Sequence, residues 1–388
     1  MRITYFAADL TDAATERRLR LLRSGGAEIS LLGFRRSPRP VPALADIPAI
    51  DLGQTFDGQL GNRLKQVMRH SLTARRWHEA VAASDVVMAR NLEMATIAHA
   101  SRVWARSNAR LVYECLDIHA AQIGTSKKSK MLRSWERYIL RRTSMLIISS
   151  PTYLPKYFNG LGVPLPPVVL AENKRMLRAG ESMTRPAFIE RPRPPWRIGW
   201  FGLLRCVASF KLLLELARQH PGLVEITLRG RPTAELDGLI KEYLPAPGMR
   251  FEGPYTLADL GTIYTACDFT WAVEYVGQNA ENAKWALGNR LYEGGFYNCP
   301  AIALNDTAMG SWLQVRNTGV VMSNPATELG PFVASLTPEL YRALHCTTAD
   351  IPTHDLAWTA DDCDRLVARL AGRSVEALID REPVAALT

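Results

Sequence analysis

The sequence predicts an α/β protein built from two domains of parallel sheet flanked by helices. Apolar strand patterns alternate with helical patterns from the first residues onward, and the alternation begins again at Trp196. A polar, proline-rich passage separates the two series. The length of 388 residues also exceeds that of one ordinary core. We therefore expect two α/β halves joined by a linker.

The amino-terminal residues predict the first strand–helix–strand unit. Residues 2–8 form an apolar strand pattern, residues 11–24 a helical pattern that ends at two glycines, and residues 27–34 a second strand. The connection at residues 7–14 has the sequence AADLTDAA, without the GxGxxG of a dinucleotide-binding loop. This absence argues against a nicotinamide or flavin dehydrogenase.

The net charge and the cysteine content limit the possible binding partners and the cellular compartment. The net charge of +9 favours an anionic partner, and because no nucleic-acid-reading motif occurs we expect no nucleic acid. The six cysteines lie far apart without a CxxC pair, as is typical of buried thiols in a reducing cytoplasm. The chain shows no signal-peptide pattern and no run of 18 apolar residues. We expect a cytoplasmic protein whose membrane association is peripheral.

One candidate site follows a strand of the first half. The strand predicted at residues 110–116 ends in Asp117-Ile118-His119. Ligands of open parallel sheets gather at the carboxyl ends of strands, so Asp117 and His119 are candidate functional residues. The alternative is an aspartate that caps a following helix, beside a histidine that is merely exposed.

A second candidate site opens the second half. Strand 197–201 is followed by Gly202 and by a loop that carries Arg205, and Lys211 lies near the start of the next helix. Gly202 would let the backbone approach a ligand closely. Arg205 is the leading candidate for a phosphate clamp and Lys211 a helper. The alternatives are a solvated loop arginine and a surface lysine.

The stretch from 289 to 303 adds a cation and a carboxylate. Arg290 and Glu293 lie three positions apart in a helix predicted at residues 283–297, before strand 301–304. Positions three apart share one face of a helix, so both side chains should project together. A cation for phosphate beside a carboxylate for sugar hydroxyls is what a nucleotide-sugar site needs. The alternative is an ordinary surface ion pair.

In their order, these segments resemble the family-4-like GT-B glycosyltransferases of bacterial exopolysaccharide and succinoglycan-type assembly. The resemblance covers roughly residues 80–330. It rests on Asp259, Leu260, Tyr264 and Asp268 of an xDLxxxYxxxD helix and on the following segments: YECLDIH, SWERYILRRTSMLIISSPTYLPKY, IGWFGLLR, LRGRP and NRLYEGGFYNCPAIA. The family often carries a second glutamate eight positions before Glu293, where this chain has Trp285. That departure concerns the contacts to the donor sugar, whereas the nucleotide-binding positions match the family.

The resemblance implies two Rossmann-like domains facing across a cleft. We expect an acceptor-binding domain at residues 1–170, a linker at 171–195, and a nucleotide-sugar-binding domain at 196–350. The tail at residues 351–388 carries an amphipathic helix that should pack back on the first domain.

By the resemblance, the protein is a glycosyltransferase that moves a sugar from a nucleotide-diphosphate sugar to a glycan acceptor, and Glu293 binds the nucleotide ribose. No Asp-x-Asp metal motif follows a predicted strand. Arginine, lysine and backbone N–H groups must therefore stabilise the diphosphate leaving group, with Arg205 first and Arg290 second. We expect neither a metal nor another cofactor.

The acceptor hydroxyl needs a base if the enzyme inverts the anomeric configuration, and Asp117 is the natural candidate. His119 either competes for that role or contacts the donor sugar. The residues do not decide between inversion and retention. A nucleotide-sugar epimerase of the same architecture and a non-catalytic scaffold in a polysaccharide-assembly complex are the alternative functions.

Two basic stretches, residues 62–77 and 127–142, place apolar and aromatic residues among cations. This pattern is typical of docking on the anionic inner face of the cytoplasmic membrane. A polyprenyl-pyrophosphate-linked acceptor would explain such docking. The alternative is two solvated helix faces whose apolar residues belong to the core.

Overall fold

The computed structural model describes residues 1–56, 60–177, 181–275 and 280–373. The chain divides into two compact units. The first comprises Met1–Glu172 and residues 358–373, and the second comprises residues 173–357. Among the described residues, no helix is both long enough and apolar enough to cross a membrane.

An eight-stranded sheet among the described residues forms the centre of the first unit. Its order is β3-β4-β2-β1-β5-β6-β7-β8, parallel throughout except for the short β3. The inner strands are buried apolar runs, as expected for a parallel sheet covered on both faces. The strands are β1 Arg2–Ala7, β2 Glu28–Arg35, β3 Ala43–Leu44, β4 Ile47–Gln54, β5 Val86–Arg90, β6 Arg110–Cys115, β7 Met145–Ile148 and β8 Val168–Leu170.

The helices of the first unit connect these strands. They are α1 Ala13–Ser24, α2 Leu60–Leu72, α3 His78–Ala82, α4 Asn91–Trp104, α5 Ala120–Ile123, α6 Lys127–Leu140 and α7 Tyr153–Lys156, with 3-10 helices at Ala74–Trp77 and Phe158–Leu161. The basic stretch predicted as one helix at residues 62–77 is therefore an α-helix followed by a separate 3-10 turn.

A six-stranded parallel sheet among the described residues forms the centre of the second unit, in the order β12-β11-β10-β13-β14-β15. Its strands, with two short flanking strands, are β9 Arg175–Met176, β10 Trp196–Leu204, β11 Val224–Pro232, β12 Met249–Phe251, β13 Phe269–Trp271, β14 Ala301–Leu304, β15 Val320–Met322 and β16 Ala357–Trp358. The core gathers large side chains, among them Trp196, Trp200 and Trp271, which are almost fully buried.

The helices of the second unit are α8 Val207–Gln219, α9 Ala234–Tyr243, α10 Leu260–Thr265, α11 Ala280–Trp285, α12 Asn289–Phe296, α13 Ala308–Val315, α14 Pro325–Ser335, α15 Pro338–Ala349 and α16 Thr353–Leu356. The single helix predicted at residues 283–297 is wrong, because two helices occupy that stretch. Gly288 caps α12 in an extended conformation and so separates it from α11. Glu293 consequently lies in the second turn of a new helix.

The final described helix, α17 Ala360–Leu370, belongs to the first unit and contacts α1. Its apolar stripe is buried there: Cys363, Leu366, Val367 and Leu370. The chain passes from the second unit to the first after Ala357, later than the boundary expected at residue 351. Residues 374–388 of the predicted tail lie outside the described residues.

The passage expected to be a linker, residues 171–195, packs on the second unit from Asn173 onward. Arg185 shows why. Its guanidinium donates to the carbonyl oxygens of Ala349 and Ile351, each at 2.7 Å, and of Thr348 at 2.8 Å. Proline-rich, polar sequence predicts irregular backbone, but it does not reveal that an arginine within it finds carbonyl partners.

Candidate functional site

Glu293 is a buried carboxylate in the second unit, with 5% of its surface exposed. The hydroxyl of Tyr264 donates to Glu293 Oε2 at 3.1 Å. Tyr264 is itself enclosed by Phe201 and Tyr297. Burial, together with the charge of Glu293, raises the pKa of Tyr264 well above 10.0, so this hydroxyl remains a donor. Tyr264 therefore stabilises a carboxylate that would otherwise be costly to bury.

Arg290 ties α12 to the end of β10. Its Nε donates to the Phe201 carbonyl oxygen at 2.6 Å and its Nη2 to the Leu203 carbonyl oxygen at 3.1 Å. Arg290 therefore turns back on the strand, whereas Glu293 accepts from Tyr264. The strand-end carbonyls are partners of Arg290 that sequence spacing cannot show. A phosphate contact by Arg290 stays a prediction.

Gly202 lies in β10, next to the two carbonyls that Arg290 binds. Its φ of +102° is a conformation that side-chain-bearing residues rarely adopt. In the neighbouring strand, Gly230 has a φ of +139°, and a Cβ there would lie 1.8 Å from the Gly202 carbonyl oxygen. The end of β10 therefore requires two glycines for its own backbone. Close approach to a ligand at Gly202 stays a prediction.

Arg205 and Glu274 meet at the carboxyl ends of the neighbouring strands β10 and β13. Arg205 Nε donates to Glu274 Oε1. Burial raises the pKa of Glu274, but the hydrogen bond and charge of Arg205, with the charge of Arg290, outweigh it, so the pKa lies below its usual value. Glu274 is therefore an anion that orients the guanidinium predicted to bind phosphate.

The remaining predicted donor-site positions differ in exposure. Lys211 is exposed in the second turn of α8, whose amino terminus follows directly from Arg205 and Cys206. Helix amino termini favour anions, so the position suits the predicted helper role. Trp285, which stands where the family often has a glutamate, is 9% exposed at the end of α11.

Asp117 and His119 follow strand β6 in the first unit, and both are exposed. Two hydrogen bonds fix the backbone just before them. The Leu116 carbonyl oxygen accepts from Ser149 Oγ at 2.7 Å and from the Tyr153 hydroxyl at 3.1 Å. Both predicted catalytic side chains therefore stand on a fixed loop at the carboxyl end of a strand, as the sequence predicted.

His119 caps helix α5, which constrains its imidazole. Nδ1 accepts from the Ala121 N–H at 3.1 Å, while the His119 N–H donates to Gln122 Oε1 at 3.1 Å. A neutral imidazole whose Nδ1 accepts a hydrogen bond carries its proton on Nε2. This tautomer can donate from Nε2 but cannot accept a proton there. Of the two roles that the sequence leaves open, the geometry favours hydrogen-bond donation.

The buried carboxylate of Glu136 holds Gln122, the partner of His119 in this cap. Gln122 Nε2 donates to Glu136 Oε2 at 3.0 Å, and the Tyr113 hydroxyl donates to Glu136 Oε1 at 2.7 Å. The Tyr157 hydroxyl also donates to Glu136. Burial raises the pKa of Glu136, against the hydrogen bonds of these three donors, which lower it. The orientation of His119 thus depends on groups anchored in the core of the unit.

No protein-family model matches this chain. The succinoglycan biosynthesis protein ExoL of Rhizobium meliloti (strain 1021) is 38% identical over 398 residues, covering 97% of this chain and 95% of ExoL. The chain belongs to the ExoL family.

The fold of this ExoL-family protein is that of GT-B glycosyltransferases. HepE of Anabaena, solved in complex with UDP-glucose, matches with a TM-score of 0.66 and 15% identity over 96% of this chain and 99% of HepE. The sucrose-phosphate synthase of Thermosynechococcus elongatus matches with a TM-score of 0.65 and 13% identity over 95% of this chain and 98% of the synthase. The sequence-based recognition of a GT-B glycosyltransferase of the succinoglycan-type group is confirmed.

Four residues that the ExoL-family chain places around its candidate sites were not among the sites predicted from sequence: Gln122, Glu136, Tyr264 and Glu274. Tyr264 lies in the xDLxxxYxxxD pattern, so a signal for it existed, although the pattern does not say that it contacts Glu293. Glu274 is 69 positions from Arg205. Only the sheet topology brings that pair together.

Proposed function

We propose that this ExoL-family glycosyltransferase of polysaccharide biosynthesis takes its sugar from a nucleotide-diphosphate sugar bound by the second unit. Its acceptor is a glycan linked to polyprenyl pyrophosphate, and it works at the cytoplasmic face of an anionic membrane. ExoL is named for succinoglycan biosynthesis, and HepE was solved with UDP-glucose. A UDP-sugar is therefore the first donor to test.

The main support for nucleotide-sugar binding by the second unit is the buried Glu293 carboxylate with its Tyr264 hydrogen bond. A carboxylate accepts several hydrogen bonds, so the Tyr264 bond is compatible with two more from the hydroxyls of a nucleotide ribose. Because the carboxylate is enclosed, such bonds form in a low-dielectric setting, where they are stronger than in water.

Cationic groups supply the charge that the leaving diphosphate needs. Arg205 stands at the end of β10, held by Glu274, and Lys211 follows in the second turn of α8. We assign Arg205 to the diphosphate, with Lys211 and Arg290 as further cations, and Gly202 as the point of close backbone approach. These groups stabilise the developing charge without a metal ion, so turnover is proposed to need none.

In the acceptor half, Asp117 is the proposed base for the acceptor hydroxyl. His119 donates a hydrogen bond from Nε2 to a substrate oxygen, consistent with its cap on α5. This division gives the two exposed side chains of one loop different tasks. Asp117 takes the proton, and His119 positions or stabilises an oxygen.

Exposed apolar side chains support the membrane part of the proposal. Along α2, Leu64, Met68 and Leu72 are 38%, 58% and 75% exposed at spacings of four residues. Lys65 and Arg69 are exposed beside them. An apolar stripe flanked by cations is the pattern of a helix that lies in a membrane interface. Helix α6 adds exposed Met131 and Tyr138.

The experiment is transfer of labelled sugar from a panel of UDP-, GDP- and ADP-sugars into a bacterial polyprenyl-pyrophosphate-glycan fraction, with and without EDTA. We expect one donor to label the lipid fraction and EDTA to leave the rate unchanged. Glu293→Gln should weaken nucleotide binding about 10- to 100-fold, since a hydrogen bond to a charged group contributes about 1.5–3 kcal/mol. Glu281→Gln, an exposed glutamate on α11, is the control.

Two outcomes would contradict the proposal. If Glu293→Gln binds nucleotide as tightly as the unaltered chain, the donor assignment is wrong. If a nucleotide-sugar incubated alone is converted to its epimer, the protein is an epimerase. Absence of both nucleotide binding and transfer would favour the scaffold.

A further inference from the structure

A cavity of about 110 Å³ lies in the first unit, with walls from α2, α4, α5 and α6. Apolar side chains form most of its lining: Leu64, Leu92, Met131, Leu132 and Trp135. Met131 is 57% exposed and Leu64 38%, so the cavity is reached from solvent. A five-carbon isoprene unit is similar in size to benzene, which an apolar cavity of roughly 150 Å³ accepts, so this cavity has room for one such unit. The space and its lining therefore suit a branched hydrocarbon.

Five of the eleven residues that line the cavity are polar or charged: Arg63, Glu93, His119, Gln122 and Lys128. His119 and Gln122 line it, which connects the cavity to the loop proposed to act on the acceptor. Arg63 pairs with Glu93 at 2.8 Å, so that charge is largely neutralised. Lys128 is an exposed cation at the start of α6. A ligand with a hydrocarbon portion and an adjacent anionic group would match this arrangement.

Leu64 also begins the exposed stripe of α2, which runs on through Met68 and Leu72. The apolar lining of the cavity is thus continuous with the surface proposed to lie against the membrane. A long hydrocarbon chain that leaves the cavity could follow this stripe, which Lys65 and Arg69 flank.

We propose that this cavity binds the isoprene unit next to the pyrophosphate of the lipid-linked acceptor, with Lys128 contacting the pyrophosphate. The proposal rests on the proposed function in one respect, the lipid-linked acceptor. It assigns the acceptor's lipid end to α2, α4 and α6, and it places the glycan end toward His119. The protein then recognises the carrier as well as the glycan.

The experiment uses farnesyl diphosphate, a soluble isoprenoid pyrophosphate, so that binding needs neither a membrane nor a glycan. Titration of the full chain is compared with inorganic pyrophosphate and with farnesol. We expect farnesyl diphosphate to bind at least 10-fold more tightly than either. Leu132→Phe, which fills the cavity, should weaken it about 10-fold or more, and Lys128→Gln about 3- to 10-fold.

Matched controls separate these effects from general damage. Val103→Phe enlarges an exposed side chain on α4, and Lys156→Gln removes an exposed charge on α7. Both should bind farnesyl diphosphate as the unaltered chain does. The melting temperature and nucleotide binding of Leu132→Phe should also be unchanged, which shows that the variant is folded.

The outcomes distinguish the two proposals. Equal affinity for farnesyl diphosphate and inorganic pyrophosphate, or unchanged affinity in a folded Leu132→Phe variant, overturns the cavity proposal, even if transfer to lipid-linked glycan is found. Cavity-dependent binding of farnesyl diphosphate supports it. If no lipid-linked glycan is then glycosylated, the proposed function fails, although the cavity binds isoprenoid.

Discussion

At the scale of single residues, partners decide what the candidate side chains can do. His119 was predicted either as a base or as a contact to the sugar. The hydrogen bond from the Ala121 N–H to its Nδ1 favours the second role. Arg290 was predicted as a phosphate clamp beside Glu293, and it binds strand carbonyls. Residue type and spacing identified the candidate positions. They could not identify the hydrogen-bond partners, which lie as many as 89 positions away in the sequence.

The cap on His119 gives a prediction that does not depend on activity. Selective ¹⁵N labelling should show the neutral His119 imidazole with its proton on Nε2, because Nδ1 accepts from the α5 backbone. The resonance is assigned by its loss in His119→Gln. Gln122→Ala removes the bond that the capping box makes to the His119 N–H, so the ring is held less firmly against the Ala121 N–H and the fraction of Nδ1–H tautomer should increase.

Glu136→Gln provides the matched comparison, since it keeps the shape of the side chain beneath Gln122 but removes its charge. A proton on Nδ1 in the unaltered chain would contradict the assignment of donor and base. So would an unchanged tautomer in both variants, because the cap would then not control the ring.

At the scale of elements, strands such as β1, β5, β6 and β7 were predictable because each is a short, buried apolar run. The helix at residues 283–297 was not, since its break depends on Gly288 adopting an extended conformation. Helix α10 begins at Leu260, inside the xDLxxxYxxxD pattern, with Asp259 as its capping residue. Local pattern locates elements well, whereas tertiary contacts fix their ends.

Helix ends also give the prediction for stability. Arg185 donates to carbonyl oxygens at the carboxyl-terminal ends of α12 and α15, including those of Gly295 and Phe296. Two of the oxygens that Arg185 binds also accept a backbone N–H, Gly295 from Asn298 at 3.0 Å and Thr348 from Ile351 at 3.3 Å. Arg185→Met should lower the free energy of unfolding of the second unit by about 3 kcal/mol, since several partly buried carbonyl oxygens lose a charged donor. Denaturant unfolding measures the change.

Arg193→Met, an exposed arginine of the same passage, should change the free energy by about 0.5 kcal/mol or less. Arg185→Lys should lie between the two, because an ammonium keeps the charge but has only three donors. Equal stability of Arg185→Met and Arg193→Met would show that the passage behaves as the linker that its composition suggested.

At the scale of the whole molecule, the net charge of +9 and the exposed stripe of α2 predict binding to anionic vesicles. Each cation near the surface contributes about 1 kcal/mol, and raising the salt to about 1 M shortens the screening length to about 3 Å. Co-sedimentation should therefore be strong with anionic lipid, weak with zwitterionic lipid and lost in high salt. Met68→Ser combined with Leu72→Ser should weaken it at least 10-fold.

The control for vesicle binding is Val315→Ser combined with Leu340→Ser, two exposed apolar residues of the second unit at 59% and 42%. This pair should leave sedimentation unchanged. Equal losses in both double variants would mean that exposed apolar surface in general is responsible, and the assignment of the membrane surface to α2 would be wrong.

The two-domain α/β class and the GT-B family were within reach of the sequence, because strand and helix patterns keep their order along the chain. The assignment of chain to units was not. Residues 173–195 belong to the second unit and residues 358–373 to the first, and this depends on contacts such as those of Arg185 and α17. Composition marks irregular backbone, but it does not say which core that backbone joins.

The return of the chain to the first unit at Trp358 has a consequence for synthesis. Helix α17 covers α1 with Cys363, Leu366, Val367 and Leu370, yet it is translated after the entire second unit. At about 5–20 residues per second, the ribosome needs roughly 10–40 s to travel from the end of the first segment to α17. Throughout that interval the face of α1 that α17 will cover is open to chaperones and to other nascent chains.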